Sequence, residues 1–445
     1  MTDTVSNENV KKALVRFAIP YMIAAFLQTL YGLVDLFVVG LFNTATTTTA
    51  VALGSQIMHM ITVIILGLVL GITVQAGNFS GAGDKDSIKK VIGTSLVFFA
   101  GIAVIFTLII CCFNGFWIRL VLTPAEAVKE TRQYLLICGL GVPFIFGVNI
   151  FSGIFRGLSD SRRPMYAVIV ACFVNIILDF VFVGGFNLGA AGAALATVFG
   201  QLFSCIAVYY LFSKNCSTYK PSLKNCRIDR FILKKVVFVG IPVALQDGFI
   251  QIAFLVITII ANARGLIDSA AVGVVEKLIC FFFLVPSAFM SAISALTAQN
   301  MGAGNRQRAK ETLRYGLIIS VSWGLFIALI NQFIPQVFVS IFTRDELVRA
   351  AGAVYLKAYS FDTIAASVHF CFSGYFCGDQ KSYISFLHNI ISVLLIRIPG
   401  AYFASKFFTD TLYPMGLAAP VGSAVSALIC IGFYIYYIKK EKKET

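Results

Sequence analysis

The chain is written twice. Phe155-Arg156-Gly157 returns as Phe376-Cys377-Gly378, Ser161 as Ser382, Gly81-Ala82-Gly83 as Gly302-Ala303-Gly304, and Lys89 as Lys310, each 221 residues on. Ile19-Pro20 returns as Ile241-Pro242, 222 residues on. The offset is close to half of the 445 residues. A chain built this way is restricted to two related lobes, each able to form much the same core.

Composition places both lobes in a membrane. The chain is 58% hydrophobic and 13% charged, against about 25% charged in soluble domains, and its mean hydropathy is +0.87. Twelve apolar runs suit a hydrocarbon core roughly 30 Å thick. They cover about 14–40, 51–78, 91–117, 134–155, 165–185 and 189–212, then 236–262, 270–298, 312–341, 353–376, 384–405 and 416–438. None alternates with a period of two, as barrel strands do. Helices are expected, because a helix satisfies its own backbone in lipid. The first thirteen residues are mostly polar, and the run after them is longer than the apolar part of a signal peptide. It is expected to remain as a span. The fold class is therefore an all-α membrane protein of twelve spans in two six-helix lobes, 1–212 and 236–445, joined by a polar linker at 213–235 that contains Pro221. Six is even, so both lobes enter from one side and form parallel repeats, an arrangement used by transporters with a path between the halves.

The net charge of +14 follows membrane orientation. By alternate loops, one side collects 25 Lys and Arg and the other eight, with Lys277 and Arg397 inside apolar runs. The positive-inside rule puts both termini in the cytoplasm and the protein, multi-pass, in the plasma (inner) membrane. The basic residues are scattered over short loops and form no stripe, which argues against nucleic acid. The eleven cysteines lie mostly inside apolar runs and read as small packing residues. Neither Gly-Ala-Gly turn is followed by the Gly-Lys-Ser/Thr of a phosphate loop. Without an ATPase motif or partner, any pumping is expected to draw on an ion gradient. No catalytic constellation and no cofactor is expected.

An ionisable group in hydrocarbon costs about 2.5 kcal/mol or more and is a functional candidate by default. The first lobe offers Asp35 in the first run and Asn175 and Asp179 in the fifth. These last two are four residues apart and so on one helix face. Thr197 lies in the sixth run. At about 1.5 Å per residue, all four reach the outer half of the lobe. Two carboxylates, an amide oxygen and a hydroxyl suit Na⁺, and paired carboxylates also suit protons. The repeat maps Asp35 near Ile257, Asn175 to Ile396 and Asp179 to Gly400, so the set was not kept twice. Pro20 removes a backbone hydrogen bond fifteen residues before Asp35 and permits a kink. Pro242 stands at the matching place and speaks for packing instead. The second lobe carries Gln246, Asp247, Gln251, Glu276, Lys277, Asp362, His369 and Arg397 in its runs. Glu276, Asp362 and Arg397, with Met290 and abundant Phe, are candidates for a substrate cavity. His369 and His59 read as packed helix residues.

These pieces resemble the multidrug and toxic compound extrusion (MATE) transporters. The resemblance covers the whole chain. It rests on Phe17-Ala18-Ile19-Pro20 with Asp35, the Gly-Ala-Gly turn, Phe155-Arg156-Gly157 with Asp160, Asn175-Ile176-Ile177-Leu178-Asp179, and Thr197. It implies a V-shaped antiporter, acting as a monomer in the bilayer, that exports small cationic lipophilic compounds against Na⁺ or H⁺. In the DinF-like branch the coupling cation sits at the positions matched here by Asp35, Asn175, Asp179 and Thr197. The NorM-like branch adds an acid in the seventh helix, where this chain has Gln251 instead. The competing reading is a lipid-linked oligosaccharide flippase of the same superfamily, which calls for a cavity lined with Arg and Lys. A channel is disfavoured because no run is interrupted by a short filter loop.

Overall fold

The structure is a computed structural model that describes residues 9–219 and 226–444. Lys220, Pro221 and Lys224 of the expected linker lie outside the described residues, as do residues 1–8. The helices are α1 (Val10–Phe42), α2 (Ala45–Gly81), α3 (Lys85–Cys112), α4 (Asn114–Leu120), α5 (Val128–Gly157), α6 (Arg162–Asp179) and α7 (Gly189–Asn215). They continue as α8 (Arg230–Asn262), α9 (Leu266–Phe282), α10 (Leu284–Gly302), α11 (Arg306–Phe333), α12 (Pro335–Ser340), α13 (Glu346–Tyr359), α14 (Asp362–Gly378), α15 (Ser382–Ile391), α16 (Ile398–Phe407) and α17 (Tyr413–Glu444). A π-helical segment, Phe180–Gly185, continues α6, and another, Ser392–Arg397, joins α15 to α16. No strand occurs among the described residues.

Ten helices are long and apolar enough to cross a membrane, and the pair α9–α10, bent by 41°, brings the number to eleven when counted as one span. The expected twelfth, over 353–376, is not one helix. It is α13 and α14, broken at Ser360–Phe361, and it starts earlier than expected. Both breaks have side-chain donors waiting. Gln332 Nε2 donates to Lys357 O at 2.9 Å and to Ser360 Oγ at 3.0 Å. Trp323 Nε1 donates to Phe282 O at 3.0 Å. Carbonyls freed by a break in apolar surroundings need such partners. The runs expected at 91–117 and 312–341 likewise end at Cys112 and Phe333, each followed by a short helix.

By internal contacts the chain forms two units. The first is Ile19–Gly240. The second contains the described residues up to Ala18 and those from Ile241. The divisions therefore fall within α1 and α8, at Ile19-Pro20 and Ile241-Pro242, and not in the polar linker. α1 stays helical through Pro20, which is buried.

Each unit repeats one steric device. A Cβ on Gly153 would come 2.6 Å from Val69 Cγ1, and one on Gly157 would come 2.6 Å from Thr73 O. In the second unit a Cβ on Gly374 would meet Met290 O at 2.5 Å, and one on Gly378 would meet Ser294 O at 2.6 Å. Every one of these residues is 221 positions from its counterpart. Small residues four apart let α5 and α14 press against α2 and α10, the usual way to gain contact where lipid supplies no hydrophobic drive. Around these seams lie separate apolar cores, including Phe99, Phe146, Phe155 and Phe212 in the first unit and Val275, Phe282, Tyr355 and Tyr359 in the second.

The Gly-Ala-Gly sequences are helix ends. Gly83 and Gly304 adopt φ of 72° and 73°. Gly83 N bonds Ser80 O and Asp84 N bonds Phe79 O, and Gly304 and Asn305 repeat the pattern on Met301 and Asn300. This double bond around a left-handed residue closes the helix. Asp84 and Asn305 then cap α3 and α11 by accepting from Ser87 N and Arg308 N. The Ser87 bonds hold the Asp84 carboxyl below the usual carboxylate range. All eleven cysteines are free.

A buried carboxylate site in the first unit

Three helices bring the four polar residues together. Asn175 and Asp179 occupy the last turn and a half of α6, on one face, and both are buried. Gly200 lets α7 approach that face: a Cβ there would lie 3.1 Å from Ala171 O and 3.2 Å from Asn175 Cβ. Ser204 Oγ ties the same helices by donating to Ala167 O at 2.9 Å. One turn before Gln201, Thr197 directs its hydroxyl toward α1, where Asp35 is also buried. The π-helical turn begins directly after Asp179. Such widened turns recur at functional sites.

Thr197 Oγ1 lies 3.3 Å from Asp35 Oδ2 and 3.0 Å from Ala193 O. It has one hydrogen, and the carbonyl is closer. Asn175 and Asp179 lie beside Asp35. Yet Asp35 Oδ1, both Asp179 oxygens, and both polar atoms of the Asn175 amide are buried with no hydrogen-bond partner among the described residues. A buried polar group left alone costs about 1–3 kcal/mol. Four of these five atoms are oxygens, and together they form a set that fits a small cation or protons. No Lys, Arg or His is among the groups beside either carboxylate.

Two tyrosines complete the surroundings and were not singled out in the sequence. Tyr31 is one helical turn before Asp35 and accepts from Gln201 Nε2 at 3.4 Å. Tyr134, on α5 and fully buried, stands beside Asp35, Cys138 and Thr197. The four-residue spacing of Tyr31 and Asp35 was readable. Tyr134 lies about a hundred residues from either, and nothing local marks it.

The second unit is arranged differently. Asp362 is fully buried at the start of α14 and faces Arg397 Nη2, 3.5 and 3.4 Å from its two oxygens. Arg397 Nη2 also donates to Ser423 Oγ at 2.5 Å, and Ser423 lies 3.3 Å from His369 Nε2. His369 is thus part of a polar chain, while His59 lies on an exposed face. Glu276 receives Thr258 Oγ1 at 3.5 Å and keeps Oε1 unpartnered. Met290 is half-buried, and its backbone serves the Gly374 seam. The structure thus joins Asp362 and Arg397; Glu276 makes no ion pair with Arg397 but lies near the same two tyrosines as that pair, Tyr355 and Tyr359, and Met290 stands apart at the Gly374 seam. Lys277 is exposed, and Gln246 accepts from Ser385 Oγ at 2.7 Å.

A family profile described as MatE matches residues 20–181 and again residues 242–403. The chain belongs to the MatE family. Both ends of the second match lie 222 residues after those of the first, which reproduces the internal repeat. As a MatE member the chain is a multi-pass membrane transporter and not an enzyme. The probable multidrug resistance protein YoeA of Bacillus subtilis is 24% identical over 99% of this chain and 97% of its own. The outward-facing structure of a multidrug resistance MATE family transporter of the MOP superfamily matches with a TM-score of 0.90 at 24% identity, covering 98% of this chain and 97% of that one. A MOP superfamily transporter from Pyrococcus furiosus, described as having a binding pocket of reversed polarity that suggests a different function, matches with a TM-score of 0.91 at 25% identity, over the same shares. Fold similarity is thus equal across relatives whose described roles differ, so the charges must decide.

Proposed function

We propose that this MatE protein is a secondary antiporter that exports cationic lipophilic compounds in exchange for Na⁺ or H⁺ by alternating access. The observation that carries the reading is the pair of buried carboxylates, Asp35 and Asp179, with no cationic side chain beside them. Two like charges in a dry site oppose each other, so each gains when a cation or proton arrives. Asn175 Oδ1 and the Thr197 hydroxyl add neutral oxygens, which a Na⁺ ion uses and a proton does not need. Binding one ion joins α1, α6 and α7, and its release frees them. A site that responds in this way can bias two conformations, provided the ion favours one of them.

In the second unit Asp362 is already met by Arg397, whereas Glu276 keeps an unpartnered oxygen. Among the described residues Glu276 is therefore an acid without a basic partner, as is Asp247 of α8, and either can attract an organic cation. The flippase alternative loses support from the same geometry. Of its two candidate cations, Lys277 is exposed and Arg397 is occupied. The relatives named for multidrug resistance agree with export. The asymmetry of the loop charges supports a plasma-membrane protein with both termini in the cytoplasm.

The test is uptake of a fluorescent organic cation by proteoliposomes under an imposed Na⁺ gradient and, separately, a pH gradient. One gradient drives transport, and Asp35→Asn or Asp179→Asn abolishes it while expression persists. Undiminished transport in both variants refutes the site.

A further inference from the structure

We propose that Arg397 is a tethered counter-cation that closes the Asp362 site to exchangeable cations, and that without it Asp362 becomes a second cation site. The inference rests on the coupling-ion reading of the first unit, with which it forms a contrast. There, two buried acids lack a positive partner. Here, one buried acid has a partner that cannot leave.

The space for that partner is built into the fold. A Cβ on Gly422 would come 2.6 Å from Arg397 Cγ and 3.2 Å from its Nε. α17 thus carries a notch for the stem of this side chain, next to the Ser423 that binds its tip. The π-helical segment Ser392–Arg397 ends on the same residue, so a widened turn presents it. The position is one residue past the counterpart of Asn175. Where the first unit has a neutral ligand and acids, the second has a cation and an acid from a different helix.

The hold on Asp362 is electrostatic more than geometric. Both nitrogen–oxygen distances exceed 3.3 Å, whereas a charge-assisted fork sits at about 2.7–2.9 Å. Arg397 Nε has no partner among the described residues. Behind Ser423, the chain of polar groups continues to His369, His388 and Ser373. His369 and His388 rings are 5.5 Å apart, and His388 Nε2 lies 2.9 Å from Ser373 Oγ. The Nδ1 atoms of both histidines are without partners among the described residues. If Arg397 is removed, this surrounding offers Asp362 dipoles but no permanent positive charge. An uncompensated buried carboxylate is strongly unfavourable, so Asp362 must then take a metal cation or a proton from solution.

The experiment measures bound cations on the purified full-length protein in detergent. Equilibrium binding of radioactive Na⁺ reports metal, and the infrared carbonyl stretch of a carboxylic acid reports a bound proton. Arg397→Gln is expected to add about one cation per chain, as Na⁺ or as a new acid band. Adding Asp362→Asn to that variant removes the gain, and Arg397→Lys, which keeps the charge, shows none. Gly422→Ala keeps every charge but fills the notch and displaces the guanidinium, so it gives a partial gain even if Arg397→Gln fails to fold. The proposal is overturned if neither Arg397→Gln nor Gly422→Ala adds a cation by either readout. It is also overturned if Asp362→Asn alone lowers cation binding, because Asp362 would then already hold an exchangeable ion. The first-unit reading is judged separately, on whether Asp35→Asn and Asp179→Asn remove the binding seen before Arg397 is changed.

Discussion

Replacing Asp179 by Asn should stabilise the protein and at the same time make its stability indifferent to the coupling ion. Five buried polar atoms around Asp35, Asn175 and Asp179 have no partner among the described residues. The introduced amide is uncharged and carries two donors, so it can serve Asp35 Oδ1 while removing one of two opposed charges. Satisfying one such atom recovers about 1–3 kcal/mol. On the proposed function the native protein gains in another way, by binding an ion at this site. At a hundredfold excess over the dissociation constant that linkage contributes about 2.7 kcal/mol. For domains of the size of Ile19–Gly240, each kcal/mol moves the unfolding midpoint by about 2–4 °C. The native protein should therefore melt about 5–10 °C higher in saturating coupling ion than without it, from the product of these two estimates. Asp179→Asn should start higher than the ion-free protein and should not move. The measurement is thermal unfolding in detergent, with choline exchanged for Na⁺ and, separately, across a pH series. A variant that melts lower than the ion-free protein, or that still responds to the ion as fully as the native chain, would refute the reasoning, because these carboxylate and amide oxygens would not then be the ion's ligands.

Two predictions concern the scaffold. Arg264 is nearly buried; it donates Nε to Asp268 and its two terminal nitrogens to Ser405 O, Phe408 O, Thr409 O and Thr411 O, at 2.7–3.3 Å. Arg264→Ala orphans Asp268 and the end of α16 together and should cost about 3–5 kcal/mol, read as a lowered unfolding midpoint; Arg264→Lys should recover only part, since an ammonium cannot span the same acceptors. Gly157→Ala and its repeat mate Gly378→Ala should each cost about 1–3 kcal/mol by overpacking. Gly101→Ala, where nothing lies within 4 Å, should gain up to about 1 kcal/mol of helix propensity. Opposite signs for Gly157→Ala and Gly378→Ala would contradict the shared seam.

The elements that could be read from sequence are those whose causes are local or repeated. Apolar length marks a span, and Gly-Ala-Gly followed by Asp or Asn marks a closed helix end and a new cap. The four residues of the first-unit site were readable for a further reason: charge and amide are conspicuous in an apolar run. Their meeting with Tyr134 was not, because a tyrosine is unremarkable in such a helix and its neighbours come from other parts of the chain. The breaks at Phe283 and Ser360–Phe361 were hidden as well. Hydropathy continues across them, and the donors that make them affordable, Trp323 and Gln332, lie on α11. The pairing of Asp362 with Arg397 also needed three dimensions, since 35 residues separate them and the notch at Gly422 belongs to a third helix.

Duplication has left unequal traces because steric and electrostatic constraints act at different ranges. At the seams of α5 and α14 an added methyl would come within 2.5–2.6 Å of Val69 Cγ1 or of a backbone carbonyl oxygen, so both copies keep glycine. A buried carboxylate imposes no such fixed demand. It requires only that some positive charge be near, and a mobile cation, a proton or a neighbouring guanidinium meets the requirement equally well in sign. They differ in whether the charge can leave. A charge that comes and goes can couple one side of a membrane to the other, while a charge fixed by the chain can only hold a structure. On the proposed function, the first unit, with Asp35 and Asp179 unmatched, is therefore the half in which ion exchange does work. On the same reading the second, with Arg397 seated on Asp362, is the half in which Glu276 and Asp247, acids without a basic partner among the described residues, are left to attract the cargo.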